Sequence, residues 1–110
     1  MTEETLRHLD NDDLHAVAYD LGLAPLDVFP LILGTGRRIF LRHGPAEVAL
    51  PNVAWSPATV RADAAACLDV VRARGYATST TWEAEYTTAQ EEAHAILLCA
   101  VLAVYPREVA

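Results

Sequence analysis

The chain reads as one α+β domain over residues 1–110: a small, mostly antiparallel sheet of three to five strands packed with three helices. Three observations carry this reading. An alanine-rich stretch opened by Ser56 and Pro57 sets Val60, Ala64, Cys67, Leu68 and Val71 at helical spacing and closes at Gly75. Over residues 76–86, Tyr76, Thr78, Thr80, Trp82, Ala84 and Tyr86 alternate with small or acidic residues, the period-two pattern of a long strand or of two strands joined by a bulge. Residues 88–105 are then almost wholly apolar, with Ala93, Ile96, Leu97, Ala100, Val101 and Val104 covering most of a helix.

Taken in order, the elements have local causes. Residues 3–9 are either a helical turn or part of the next helix, with Leu6 and Leu9 facing the core. The first full helix covers residues 11–21. Asp10 or Asn11 caps it, Asp12 and Asp13 suit the positive end of its dipole, and Gly22 ends it. Its apolar face is Leu14, Val17, Ala18 and Leu21. Pro25 and Pro30 make residues 23–30 an irregular connection that must still bury Leu26, Val28 and Phe29. Residues 31–33, the turn Gly34-Thr35-Gly36 and residues 37–42 form a hairpin, and residues 47–50 can add a strand that Pro51 stops. A helix starts near Ser56 or Thr59, Ser56 followed by Pro57 fitting a cap and first position, with Arg61, Asp69, Arg72 and Arg74 on the solvent face. Thr88 and Glu91 read as a capping box for the last helix, which is central to the core or half of a dimer interface.

Composition narrows function. Apolar residues make up 53%, too many for a disordered chain. A net charge of −7 disfavours nucleic acid and anionic membranes as partners. All eight basic residues are arginine, as GC-rich coding favours. The acidic start lacks a signal-peptide core, and the apolar run at residues 93–105 is shorter than the roughly 20 residues a span needs, so a cytoplasmic protein is expected. Cys67 and Cys99 read as small buried hydrophobes rather than a disulfide.

The order helix, strands, helix, strand, helix, with Asp13 through Gly22, Ala58-Thr59 through Gly75-Tyr76 and Ala95-Ile96 through Ala103, resembles the phage ABA sandwich domain family of small bacteriophage and prophage proteins. Val60 stands where that family usually has aspartate, and residues 23–55 match loosely. The resemblance implies a fold and a phage context, with no catalytic residue carried over.

Candidate sites are few. Gly34 and Gly36 beside Arg37, Arg38 and Arg42 can form an anion-binding turn, although the spacing of a phosphate loop is absent; flanking arginines on a solvated hairpin are the plainer account. His8, Asp12 and His15 share a face only if the first helices are continuous, and a polar face explains them better than a metal. His94 with Cys67 or Cys99 lacks the electropositive setting of a reactive thiol. Ser56 and Thr59 read as caps, and Glu83 with Glu85 as solvent-facing strand carboxylates. Trp55, in a loop, is the tryptophan expected to be exposed and to matter for binding, ahead of Trp82. No cofactor or metal motif is present. A non-enzymatic accessory protein is expected, engaging a host protein or, alternatively, a small anionic metabolite or nucleotide at residues 34–42, with a homodimer among its forms.

Overall fold

The computed structural model describes residues 3–43, 52–78 and 89–108. The order is α1 (Glu3–Arg7), α2 (Asn11–Asp20), β1 (Val28–Ile32), β2 (Arg38–His43), β3 (Asn52–Ala54), α3 (Arg61–Ala73) and α4 (Ala89–Glu108). The strands pair antiparallel in the order β1-β2-β3. The α+β class is the one the sequence predicts. The described helices are four rather than three, because Asp10 caps α2 separately by accepting the Asp13 N–H at 2.8 Å, so α1 and α2 are not continuous.

The core is helical. α3 and α4 make the most extensive contact between elements, with α1 and α2 also against α4. Ala64, Cys67, Leu68 and Val71 of α3 are buried, as are Ala93, Ile96, Leu97, Ala100, Val101 and Val104 of α4. Small residues on α3 and branched ones on α4 let the two helices pack closely. From α1 and α2, Leu6, Leu14 and Ala18 complete that core.

Several expectations change. Residues 28–30 are strand, not irregular connection: β1 runs Val28–Ile32 with Phe29 opposite Leu41 and Leu31 opposite Ile39. The Leu33 N–H donates to Arg37 O at 2.8 Å, which by alternation puts the Pro30 nitrogen on the outer edge, where its missing N–H costs no ladder bond. Leu26 is fully exposed rather than buried, standing out from the turn before β1. Ser56 and Pro57 do not start the helix. The Ser56 carbonyl accepts N–H bonds from Thr59 and Val60, closing a turn, and α3 begins at Arg61 behind an extended Val60 that is itself exposed.

The end of α2 is clasped by Arg74, a residue expected on the solvent face. Arg74 donates to Leu21 O at 3.1 Å and to Gly22 O at 2.9 Å, satisfying carbonyls that a helix C-terminus leaves open. Gly22 holds φ +76° there, and a Cβ would stand 2.9 Å from the Arg74 guanidinium.

Tyr76, Ala77 and Thr78 are not strand. The remainder of the predicted strand at 76–86, with Trp82, Glu83 and Glu85, lies outside the described residues, as do residues 47–50 and Thr88. No described helix is long and apolar enough to cross a membrane.

Candidate functional site

The hairpin β1–β2 carries the residues singled out for anion binding, and pairing fixes which way each faces. Even-numbered side chains face the helices: Val28 and Phe40 are buried, and the Phe40 ring lies 4.9 Å from Tyr19 and 5.9 Å edge-on from Trp55. Odd-numbered ones face the other way, with Phe29, Ile39 and Leu41 half-buried and Leu31 exposed.

The arginines are each paired within the chain. Arg37 pairs with Asp12 on the first turn of α2. Arg38 makes a bidentate pair with Asp20 at 3.0 and 3.1 Å, which raises its pKa, and lies 5.7 Å above the Phe40 ring. Arg42 reaches Asp27 at 3.3 Å and comes within 3.9 Å of Asp63. Each guanidinium is thus met by a different carboxylate from this chain, so an incoming anion has to displace a partner. Gly34 and Gly36 form the exposed turn, and the Gly36 N–H donates to Leu33 O at 2.8 Å. The arginines work as fasteners of the hairpin to α2 and to the turn before β1.

What remains uncompensated at the hairpin end is apolar. Leu31 is 46% exposed, Ile32 71% and Leu33 39%. They are consecutive, so the strand pleat presents apolar side chains on both faces of the tip. The edge of β1 is a poor template for strand addition, because the Val28 N–H is taken by Pro25 O at 3.1 Å and Pro30 has no N–H. Side chains, not backbone, are what the tip offers.

Trp55 corrects the sequence expectation. It is 1% exposed, sealed by Phe40 and by His15, whose ring lies 6.1 Å away. Its indole nitrogen is buried with no hydrogen-bond partner among the described residues. A residue read as an interaction anchor is therefore a core anchor. Next to it, a recess of about 190 Å³ is lined by Asp12, His15, Arg38, Phe40, Trp55 and Ser56 among others.

The remaining candidates separate in the same way. His8 is exposed beyond α1, Asp12 is engaged by Arg37, and His15 is buried against the turn before α3, so the three share no ligand face. No set of metal-ligating side chains gathers among the described residues. Burial pushes the Cys67 thiol up to about 12, far from a nucleophile's range. Cys99 is half-buried on α4, and Cys67 is not joined to it. The Ser56 N–H donates to Asp63 Oδ2 at 3.1 Å and the Thr59 hydroxyl to Ser56 O at 3.4 Å, so both serve the turn.

His15 is the residue whose placement is least legible in the sequence. It lies three positions before Ala18 on the flank of the α2 apolar face, a position legible as half-buried, yet its role depends on a residue far along the chain. Its Nε2 accepts the Ala58 N–H at 3.0 Å, and burial lowers its pKa to about 4.

Compared with known proteins, the chain matches no family model, no curated protein and no solved structure.

Proposed function

We propose that the protein acts by binding another protein, and that the apolar end of the β1–β2 hairpin is its recognition surface. The observation that carries this reading is the run of Leu31, Ile32 and Leu33, exposed together on a hairpin whose arginines are paired with carboxylates of α2 and of the turn before β1. Such a tip offers apolar area without the desolvation cost of unpaired charge. The net charge of −7 favours a partner with an apolar patch rimmed by basic residues, and disfavours a second copy of this chain, whose charge repels. A non-enzymatic role agrees with a buried, high-pKa Cys67 and with a His15 whose nitrogen is already committed to Ala58. The resemblance to phage ABA sandwich proteins supplies the setting: a phage or prophage accessory protein acting on a host factor in the cytoplasm.

The test compares wild type with Ile32→Asp, each used as bait in a lysate of the natural host, followed by reconstitution with the purified partner. The expected result is a partner that rebinds wild type in purified form and is lost with Ile32→Asp. An unchanged captured set, with both baits folded, overturns the reading. The alternative, a small anion held at residues 34–42, requires Arg37→Ala with Arg38→Ala to abolish ligand binding. Light scattering at micromolar concentration tests the homodimer, which this reading expects to be absent.

A further inference from the structure

A conformational device lies away from the hairpin tip, where α2 meets the turn before α3. That turn is held at two backbone amides by side chains from elsewhere. The Ser56 N–H donates to Asp63 Oδ2 at 3.1 Å, and the Ala58 N–H donates to His15 Nε2 at 3.0 Å. The second bond is buried, and it spans 43 residues of sequence. A histidine nitrogen accepts a hydrogen bond only while it carries no proton. His15 is therefore neutral, with its proton on Nδ1, whenever this bond exists.

Solvent has a route to the imidazole. His15 forms part of the wall of the 190 Å³ recess, which Asp12, Arg38 and Ser56 also line. The groups facing it come from every side. Asp63 of α3 and Asp10 at the α2 cap favour the charged ring, whereas His94 of α4 opposes it. Desolvation outweighs both carboxylates, and the ring's pKa is lowered to about 4.

Losing the bond has a defined consequence. Pro57 and Ala58 are buried, and Trp55, two residues earlier, packs on the same imidazole. We propose that His15 is an acid-operated latch: protonation of Nε2 ejects the Ala58 N–H, frees residues 55–59 from α2 and opens the seal over Trp55. The open form has a histidine in water, with a pKa near its ordinary 6.5. Acid therefore favours opening progressively as pH falls from about 6.5, and near pH 4 even the enclosed ring takes the proton, which the Ala58 bond does not survive.

The experiment is an NMR titration of the full chain that follows the His15 ring nitrogens, the Ala58 amide and the Trp55 indole together. At neutral pH the His15 Nε2 shift should be that of an unprotonated acceptor. Between pH 6.5 and 4 the Ala58 protection factor against hydrogen exchange should fall by about a hundredfold, in step with a change in the Trp55 indole signal. His15→Gln keeps an acceptor without a titrating proton and should hold Ala58 protection constant over that range. A protonated Nε2 at neutral pH overturns the latch, as does protonation of His15 with Ala58 and Trp55 unmoved. Should His15→Gln not fold, the wild-type titration decides alone.

Discussion

The α3–α4 pair and the β1–β2 hairpin are held by opposite means. The helices meet through fully buried Leu97, Val101 and Val104 on one side and Ala64, Cys67 and Val71 on the other. Among its described side chains the hairpin keeps only Val28 and Phe40 buried, and it is tied down by arginine–aspartate pairs that stay partly in water. Burial of the first kind is strong and nearly indifferent to salt, whereas exposed ion pairs contribute about 0–1 kcal/mol each and are screened. The difference teaches where stability is concentrated: the helices hold the fold, and the hairpin end stays exposed, the surface proposed above to meet a partner.

The largest expected effect lies in the helices. Leu97→Ala should destabilise by about 2–5 kcal/mol, since a fully buried leucine leaves both lost transfer energy and a cavity. Chemical denaturation measures this, and a loss below 1 kcal/mol would break the comparison. Gly22→Ala comes next at roughly 1–2 kcal/mol, because φ +76° strains an L-residue and the new Cβ crowds Arg74. A melting curve showing no change would mean that the Arg74 clasp yields freely. Arg38→Ala should cost about 1 kcal/mol or less, and the difference from wild type should shrink in 1 M salt. A salt-independent loss would assign Arg38 to packing over Phe40 instead of to Asp20. Smallest is Ile32→Ser, expected within about 0.5 kcal/mol of wild type because its side chain already stands in water. A larger stability loss would show that the tip serves the fold.

What the sequence made legible follows the same division. The 3.6-residue period of α3 and α4 and the cap of α2 are local signals, and the structure places their buried residues on the predicted faces, with Val60 the exception. The Gly34-Thr35-Gly36 turn was equally local. Pro30 misled, because whether a proline is tolerated in a strand depends on which edge its nitrogen faces, a property of the pairing register alone. Arg37, Arg38 and Arg42 looked available because their acids are remote in sequence, 18 residues away for Asp20 and 15 for Asp27. Trp55 looked exposed for the same reason: Phe40 and His15, which bury it, come from two other elements. Ser56 and Pro57 carried a helix-start signal that the turn at residues 56–59 used instead.

The most direct test of the central claim is a hydrogen-exchange footprint of the protein alone and bound to its reconstituted partner. The account predicts new protection concentrated in the hairpin end, at residues 31–37, with exchange in α3 and α4 unchanged. Protection appearing on α4 while Leu31, Ile32 and Leu33 exchange as in the free protein would contradict it.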